Sequence, residues 1–233
     1  MPSFTIENAF SLIKDGSFEE ALPILEGVIS EEPEDWNAIY LAGVCCRAIS
    51  DLDRSAAFLK KAVSIKGDEA SVWAALGITM QLMENFSEAI SAFKKAVKLD
   101  PEYFEGYNSL GLTYKKMGNL DEALKHYDNA SSVLSREASR EAKRNGYVTL
   151  SETDEGKKVY TVEAGNIPFV KNYLKNDIRW ATVMNNIGGV YLEMGDYDSA
   201  KDAFIESIEF TPEGMSYKSP HGGLDILSTK FAK

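Results

Sequence analysis

The sequence predicts an all-α protein built from repeated helical hairpins. Three observations carry that expectation. Five short segments vary one phrase: GSFEEA (16–21), SDLDRS (50–55), ENFSEA (84–89), GNLDEA (118–123) and GDYDSA (195–200). Their large apolar third residues are Phe18, Leu52, Phe86, Leu120 and Tyr197; the first four lie 34 residues apart and the fifth follows after 77, one period lengthened by 43. A second series, Gly43, Gly77, Gly111 and Gly188, keeps the same period and the same interruption.

The first two periods, 2–35 and 36–69, are set mainly by the unbroken register, with Ala21 and Pro33, then Gly43 and Ala62, as their marks. Period 70–103 is the clearest. Trp73, Leu76, Gly77 and Met80 recur at helical spacing, ENFS supplies a turn, and Ala89, Phe93 and Ala96 form a second helical face. Asp100-Pro101 stops that helix, because proline lacks the amide N–H and disfavours helix before it. Gly77, Ala89 and Ala96 are expected where paired helices cross, with Trp73, Leu76 and Phe93 filling the space around them. Period 104–137 repeats the arrangement, but Ser135 stands where a stop is expected.

Residues 138–180 are an insertion. The preceding helix can run on through SREASREAKR to Asn145-Gly146, a good terminator. Asn166 can cap and Pro168 can open a new helix, which continues through Phe169, Tyr173, Leu174 and Ile178 into the first helix of period 181–214. Both flanking helices would then be ~40 Å long. Ala138 and Ala142 suit close packing against Phe169, Tyr173 and Leu174. Between them, residues 147–162 hold two β-rich runs around a polar turn and read as a β-hairpin at the tip of a helical arm. The insertion carries +2 against −13 for the remainder. Arg136, just before it, forms with Arg140 and Arg144 a basic stripe that reads as a docking face for an acidic partner or as a solvated helix face. The tail, 215–233, contains Pro220, Gly222 and Gly223 and breaks the register. Its Leu224, Ile226, Leu227 and Phe231 are expected to cover the open end of the array, to enter a groove, or to pack on a second copy.

These residues resemble the tetratricopeptide repeat, W-x2-L-G-x2-Y followed by A-x3-F-x2-A-x4-P on a 34-residue period. Period three matches through Trp73, Leu76, Gly77, Ala89, Phe93, Ala96 and Pro101, with Met80 in place of tyrosine. Period four matches through Tyr107, Leu110, Gly111, Tyr114, Ala123, Tyr127 and Ala130, and period five through Gly188, Tyr191, Ala200, Phe204 and Pro212. The resemblance implies a right-handed superhelical solenoid of five hairpins whose first helices line a concave groove. Carried over by register, the groove residues are Ile6, Phe10, Tyr40, Val44, Arg47, Ala74, Ile78, Gln81, Asn108, Leu112, Lys115, Asn185 and Glu193. Of these, Phe10, Tyr40, Arg47, Ile78, Gln81, Asn108, Leu112, Lys115 and Asn185 are the main candidates for peptide contact. The family's clamp for acidic C-terminal peptides is missing. Its positions hold Ile6, Phe10, Leu41, Ser71 and Ala75 over periods one to three, and Tyr40, Val44, Ala75, Glu105 and Ser109 over periods two to four. The groove is therefore expected to suit an apolar or mixed segment.

Little in the chain suggests catalysis. His126 and His221 are far apart, no Cys/His cluster has ligand spacing, and no phosphate loop or nucleophile elbow is present. Acid pairs such as Glu19-Glu20 and Asp121-Glu122 begin second helices, where they favour the helix dipole. No enzyme activity, metal or cofactor is expected. A net charge of −11 disfavours nucleic acid as a partner, since phosphate binding relies on cations. No apolar run approaches the length of a membrane span. Adjacent Cys45 and Cys46 read as small core side chains in a reducing compartment, and with no export signal a cytoplasmic location is expected. The sequence thus points to a noncatalytic scaffold binding a protein or peptide segment. The alternative is a structural subunit that self-assembles through the end of the array or the tail.

Overall fold

The computed structural model describes residues 5–146, 148–152, 158–162, 167–212, 223–224 and 226–227. Among them are eleven α-helices: α1 (Ile6–Lys14), α2 (Phe18–Glu31), α3 (Trp36–Ala48), α4 (Leu52–Ile65), α5 (Ala70–Leu82), α6 (Phe86–Leu99), α7 (Phe104–Lys116), α8 (Leu120–Arg144), α9 (Ile167–Lys175), α10 (Ile178–Met194) and α11 (Tyr197–Glu209). Strands β1 (Val148–Glu152) and β2 (Lys158–Val162) pair antiparallel, Val148 opposite Val162 and Glu152 opposite Lys158. The chain divides into two compact units, residues 1–113 and 114–233.

Turns and crossings follow the sequence register. The residue before each second helix's cap is left-handed: Gly16, Ser50, Glu84, Gly118 and Gly195 have φ of 78°, 65°, 58°, 77° and 82°. The next residue's N–H then reaches back five residues, as from Asp51 to Cys46 (2.8 Å) and from Asn85 to Met80 (2.9 Å). That bond ties off carbonyls that the helix end would otherwise leave unpaired. The same next residue starts the second helix: Asp51, Asn85 and Asp196 accept from the N–H three residues on.

Packing within the hairpins repeats as well. Leu25, Leu59, Phe93, Tyr127 and Phe204 share one register position in the second helices, and none is more than 3% exposed. Facing three of them are glycines. A Cβ would lie 2.7 Å from Leu59 at Gly43, 2.6 Å from Phe93 at Gly77 and 2.7 Å from Phe204 at Gly188. Helix axes can close to this distance only where one side chain is missing. The flanking small positions are fully buried, and where serine replaces alanine its hydroxyl is paired. Ser55 Oγ lies 2.9 Å from Thr79 Oγ1, and Ser207 Oγ donates to the Ala181 carbonyl at 2.6 Å. Cys45 and Cys46 are both buried as free thiols, and burial pushes Cys45 up to about 11.

Helix α8 passes Ser135 without a stop and runs for 25 residues, about 37 Å. The Ser139 hydroxyl donates to the Ser135 carbonyl, and Asn145 with left-handed Gly146 ends the helix. Ala138 and Ala142 are fully buried where α8 packs along α9 and α10. The continuous helix expected on the far side is instead two, α9 and α10, broken at Asn176-Asp177. Asp177 adopts an extended conformation (φ −112°, ψ 105°) and accepts from the Arg179 N–H at 2.9 Å. Arg179 Nη2 then bonds Asp177 Oδ2 and Glu137 Oε2, each at 2.7 Å, tying the break to α8. Those bonds, Asp177 first, hold the guanidinium well above the ordinary arginine range. Asn166, the expected cap of α9, lies outside the described residues.

At the C-terminal end, residues 223–224 and 226–227 are helical. Leu227, 3% exposed, clusters with Ala200 and Phe204, and Leu224 packs at its margin. A Cβ at Gly223 would come within 2.5 Å of the Phe204 ring, so that ring lies between Gly188 and Gly223. Ile226 is 48% exposed. Phe231 lies outside the described residues.

Candidate functional site

The first helices bring the candidate residues into rows, because equivalent positions recur every 34 residues. In the unit 1–113, one row is Phe10, Val44, Ile78 and Leu112. Phe10 is 46% exposed under Lys14, whose Nζ lies 4.7 Å from its ring centroid, and the other three are half-buried. One turn earlier come Tyr40, Ala74 and Asn108, with Tyr40 packed partly into the core between α2 and α4. Asn108 is half-buried, as is Asn185 at the same register in the unit 114–233.

One turn later, Arg47, Gln81 and Lys115 share a position, and each is engaged with another first helix. Arg47 Nη1 donates to the Ala75 carbonyl at 3.3 Å, from α3 to α5. Gln81 is buried, and its Nε2 donates to Thr113 Oγ1 at 2.6 Å with the Ser109 carbonyl at 3.5 Å, from α5 to α7. Thr113 Oγ1 in turn donates to Ser109 O at 2.7 Å. In the second unit, Lys115 Nζ pairs with Glu193 Oε1 at 3.2 Å and sits against Gly189, where a Cβ would be 2.7 Å away. Sequence reasoning named all three donors as groove residues but missed their acceptors, Ala75, Ser109 and Thr113. The polar residues recurring at positions 47, 81 and 115 were the signal available.

His126 and the basic stripe of α8 are further polar features of the second unit. His126 is buried and stacks on Tyr114, with centroids 5.3 Å apart and planes 5° off parallel. Arg136, Ser139, Arg140, Lys143 and Arg144 line a cleft along the far part of α8, where Arg144 pairs with Glu141 at 3.2 Å. Among the described residues no His, Cys, Asp or Glu cluster could hold a metal ion, and no helix is long and apolar enough to cross a membrane.

Known proteins add to this geometry. No curated protein matches the sequence significantly. Solved structures do match in fold. MamA (residues 41–end) from Desulfovibrio magneticus RS-1 is 16% identical with a TM-score of 0.63, covering 88% of this chain and 91% of its own. YrrB, described as a TPR protein with an unusual peptide-binding site, is 17% identical with a TM-score of 0.60, covering 94% and 90%. PilF from Pseudomonas aeruginosa is 14% identical with a TM-score of 0.67, covering 97% and 82%. Tetratricopeptide repeat models match residues 12–77, 104–133 and 181–213, and a TPR repeat model matches 82–118. Together these spans cover residues 12–77, 82–133 and 181–213, well over half of the chain. With its recurring turns and its glycine-on-ring crossings in the same register, the chain belongs to the tetratricopeptide repeat family.

Proposed function

We propose that the chain is a noncatalytic interaction scaffold, and that the first helices of residues 1–113 hold an apolar or mixed segment of a partner protein. The observation that carries this is the row Phe10, Val44, Ile78 and Leu112. At this one register position four successive first helices each keep an apolar side chain partly exposed, Phe10 at 46% and Val44, Ile78 and Leu112 half-buried, so together they form a continuous row. Apolar surface gathered in this way is the usual mark of a binding surface. Tyr40 and Asn108, one turn away, can donate to or accept from a bound backbone. YrrB's peptide-binding site lends support by analogy of fold alone. In this reading the array has five hairpins, 2–35, 36–69, 70–103, 104–137 and 181–214, with the arm and its ribbon inserted at 138–180. Asn185 and Lys115 serve an equivalent face in residues 114–233. Self-assembly through the end of the array is the weaker alternative, because Leu224 and Leu227 already lie over α11.

Affinity capture from the source extract with wild type and with Ile78→Asp, read by mass spectrometry, tests the proposal. Proteins held by wild type and lost with Ile78→Asp are the expected result. Identical captures, with the variant still folded, would remove the first-helix row as the binding face.

A further inference from the structure

Arg47, Gln81 and Lys115 answer the same local need in three ways, and only one leaves a charge uncompensated. Gln81 is neutral and spends its amide on Thr113 Oγ1 and the Ser109 carbonyl. Lys115 is charged and faces the Glu193 carboxylate at 3.2 Å. Arg47 is charged and half-buried, yet among the described residues it meets one backbone carbonyl, Ala75 O at 3.3 Å, and no carboxylate. A guanidinium has five N–H donors, so most of this one's hydrogen-bonding capacity meets no acceptor among the described residues. Burial holds the guanidinium below the usual arginine range.

Tying α3 to α5 does not require a cation. An amide does the equivalent task at Gln81, without the cost of desolvating a charge that has no counter-ion. The charge at Arg47 therefore needs a different reason.

We propose that Arg47 anchors a carboxylate on the bound segment, an Asp or Glu side chain carried within an apolar stretch that lies along Phe10, Val44, Ile78 and Leu112. This rests on the first-helix row being the binding face. Arg47 lies outside the positions tested for the family's acidic-tail clamp, and the expected ligand differs as well. The apolar row continues on both sides of α3, to Phe10 on α1 and to Ile78 and Leu112 on α5 and α7. A segment running through fills the whole row, whereas a terminal carboxylate at Arg47 would leave one side empty. Packed helices stand roughly 8–10 Å apart, and a polyproline II segment advances about 3.1 Å per residue with three residues per turn, so an apolar residue at every third position stays on one face and matches the row. A carboxylate fits Arg47 because two N–H groups can donate to its two oxygens in parallel. A polyanion does not fit, since the chain as a whole carries −11.

Fluorescence anisotropy with synthetic extended peptide pools tests this. The pools carry an apolar residue at every third position and one interior Glu, or Gln in the matched set, and are titrated against wild type and Arg47→Gln. The Glu pool should bind wild type about tenfold more tightly than the Gln pool. Arg47→Gln should erase that preference while binding the Gln pool as before, and should melt no lower than wild type. Equal binding of both pools to wild type would overturn the carboxylate anchor and leave the apolar row standing. So would a preference that survives Arg47→Gln, or tighter binding of a pool whose only carboxylate is its C-terminus. A clear fall in melting temperature for Arg47→Gln would make Arg47 a structural tie and overturn the anchor too. If neither pool binds wild type, the row itself fails as the binding face, and the anchor fails with it.

Discussion

Helices α6 and α8 each begin one residue after an asparagine and two after a left-handed residue, yet α6 stops at Leu99 and α8 continues to Arg144. Their packing near the start is also alike, with Phe93 and Tyr127 fully buried at one register position and alanines fully buried on either side. The difference lies in the exit. Asp100, ahead of Pro101, is extended at φ −126° and ψ 100°, because the proline ring disfavours helix in the residue before it. Ser135 makes no such demand. Hairpin length in this chain is therefore decided by the residue at the exit and not by the core.

The comparison can be broken most severely in the core of α6. Phe93→Ala should lower stability by about 3–5 kcal/mol in urea unfolding, since it opens a cavity against Gly77. A loss under about 1 kcal/mol would mean that this crossing is not a main support of the fold. Ser135→Pro gives α8 the same exit residue as α6. It should cost about 3 kcal/mol and remove helical circular dichroism, because the far part of α8 is buried against α9 and α10. An unchanged spectrum would show that α8 does not depend on continuity through this point.

Tyr127 sharpens the contrast from the other side. Its hydroxyl is buried without a hydrogen-bond partner among the described residues, and burial pushes its pKa well up. Tyr127→Phe should raise stability by about 1 kcal/mol, and a loss would reveal a partner that the fold supplies in solution. The smallest effect belongs to the turns. Glu84 precedes α6 in a left-handed conformation, where Gly118 precedes α8. Glu84→Gly should gain about 0.5–1 kcal/mol and Gly118→Ala should lose about 1 kcal/mol, both read as shifts in the denaturation midpoint.

Much of this architecture is legible in the sequence because a repeated hairpin writes its contacts locally. Gly77 and Phe93 are 16 residues apart in one period, and the same pair returns at Gly188 and Phe204. The run of α8 past Ser135 is legible for the same reason. The break between α9 and α10 is not. Phe169, Tyr173, Leu174 and Ile178 keep helical spacing across it, while the extended Asp177 is held through Arg179 by Glu137, 42 residues from that arginine. At the candidate site, register alone places Arg47 and Gln81 on the first-helix face. That each also ties itself to another first helix depends on partners 28 to 32 residues away. Only the side-chain geometry distinguishes a donor already spent, such as Gln81, from one with capacity left, such as Arg47.

The ring of Phe204, held between Gly188 and Gly223 and roofed by Leu227, has a consequence for chain growth. A fibre propagates only if each unit presents a sticky surface at both ends. Here Leu224 and Leu227 lie on the face of α11 around Phe204, so part of the surface a further unit would need is occupied from within the chain. Shortening the chain to Gly214 would uncover the Phe204 ring and leave that face open to a second copy, which a rise in mass by light scattering would register.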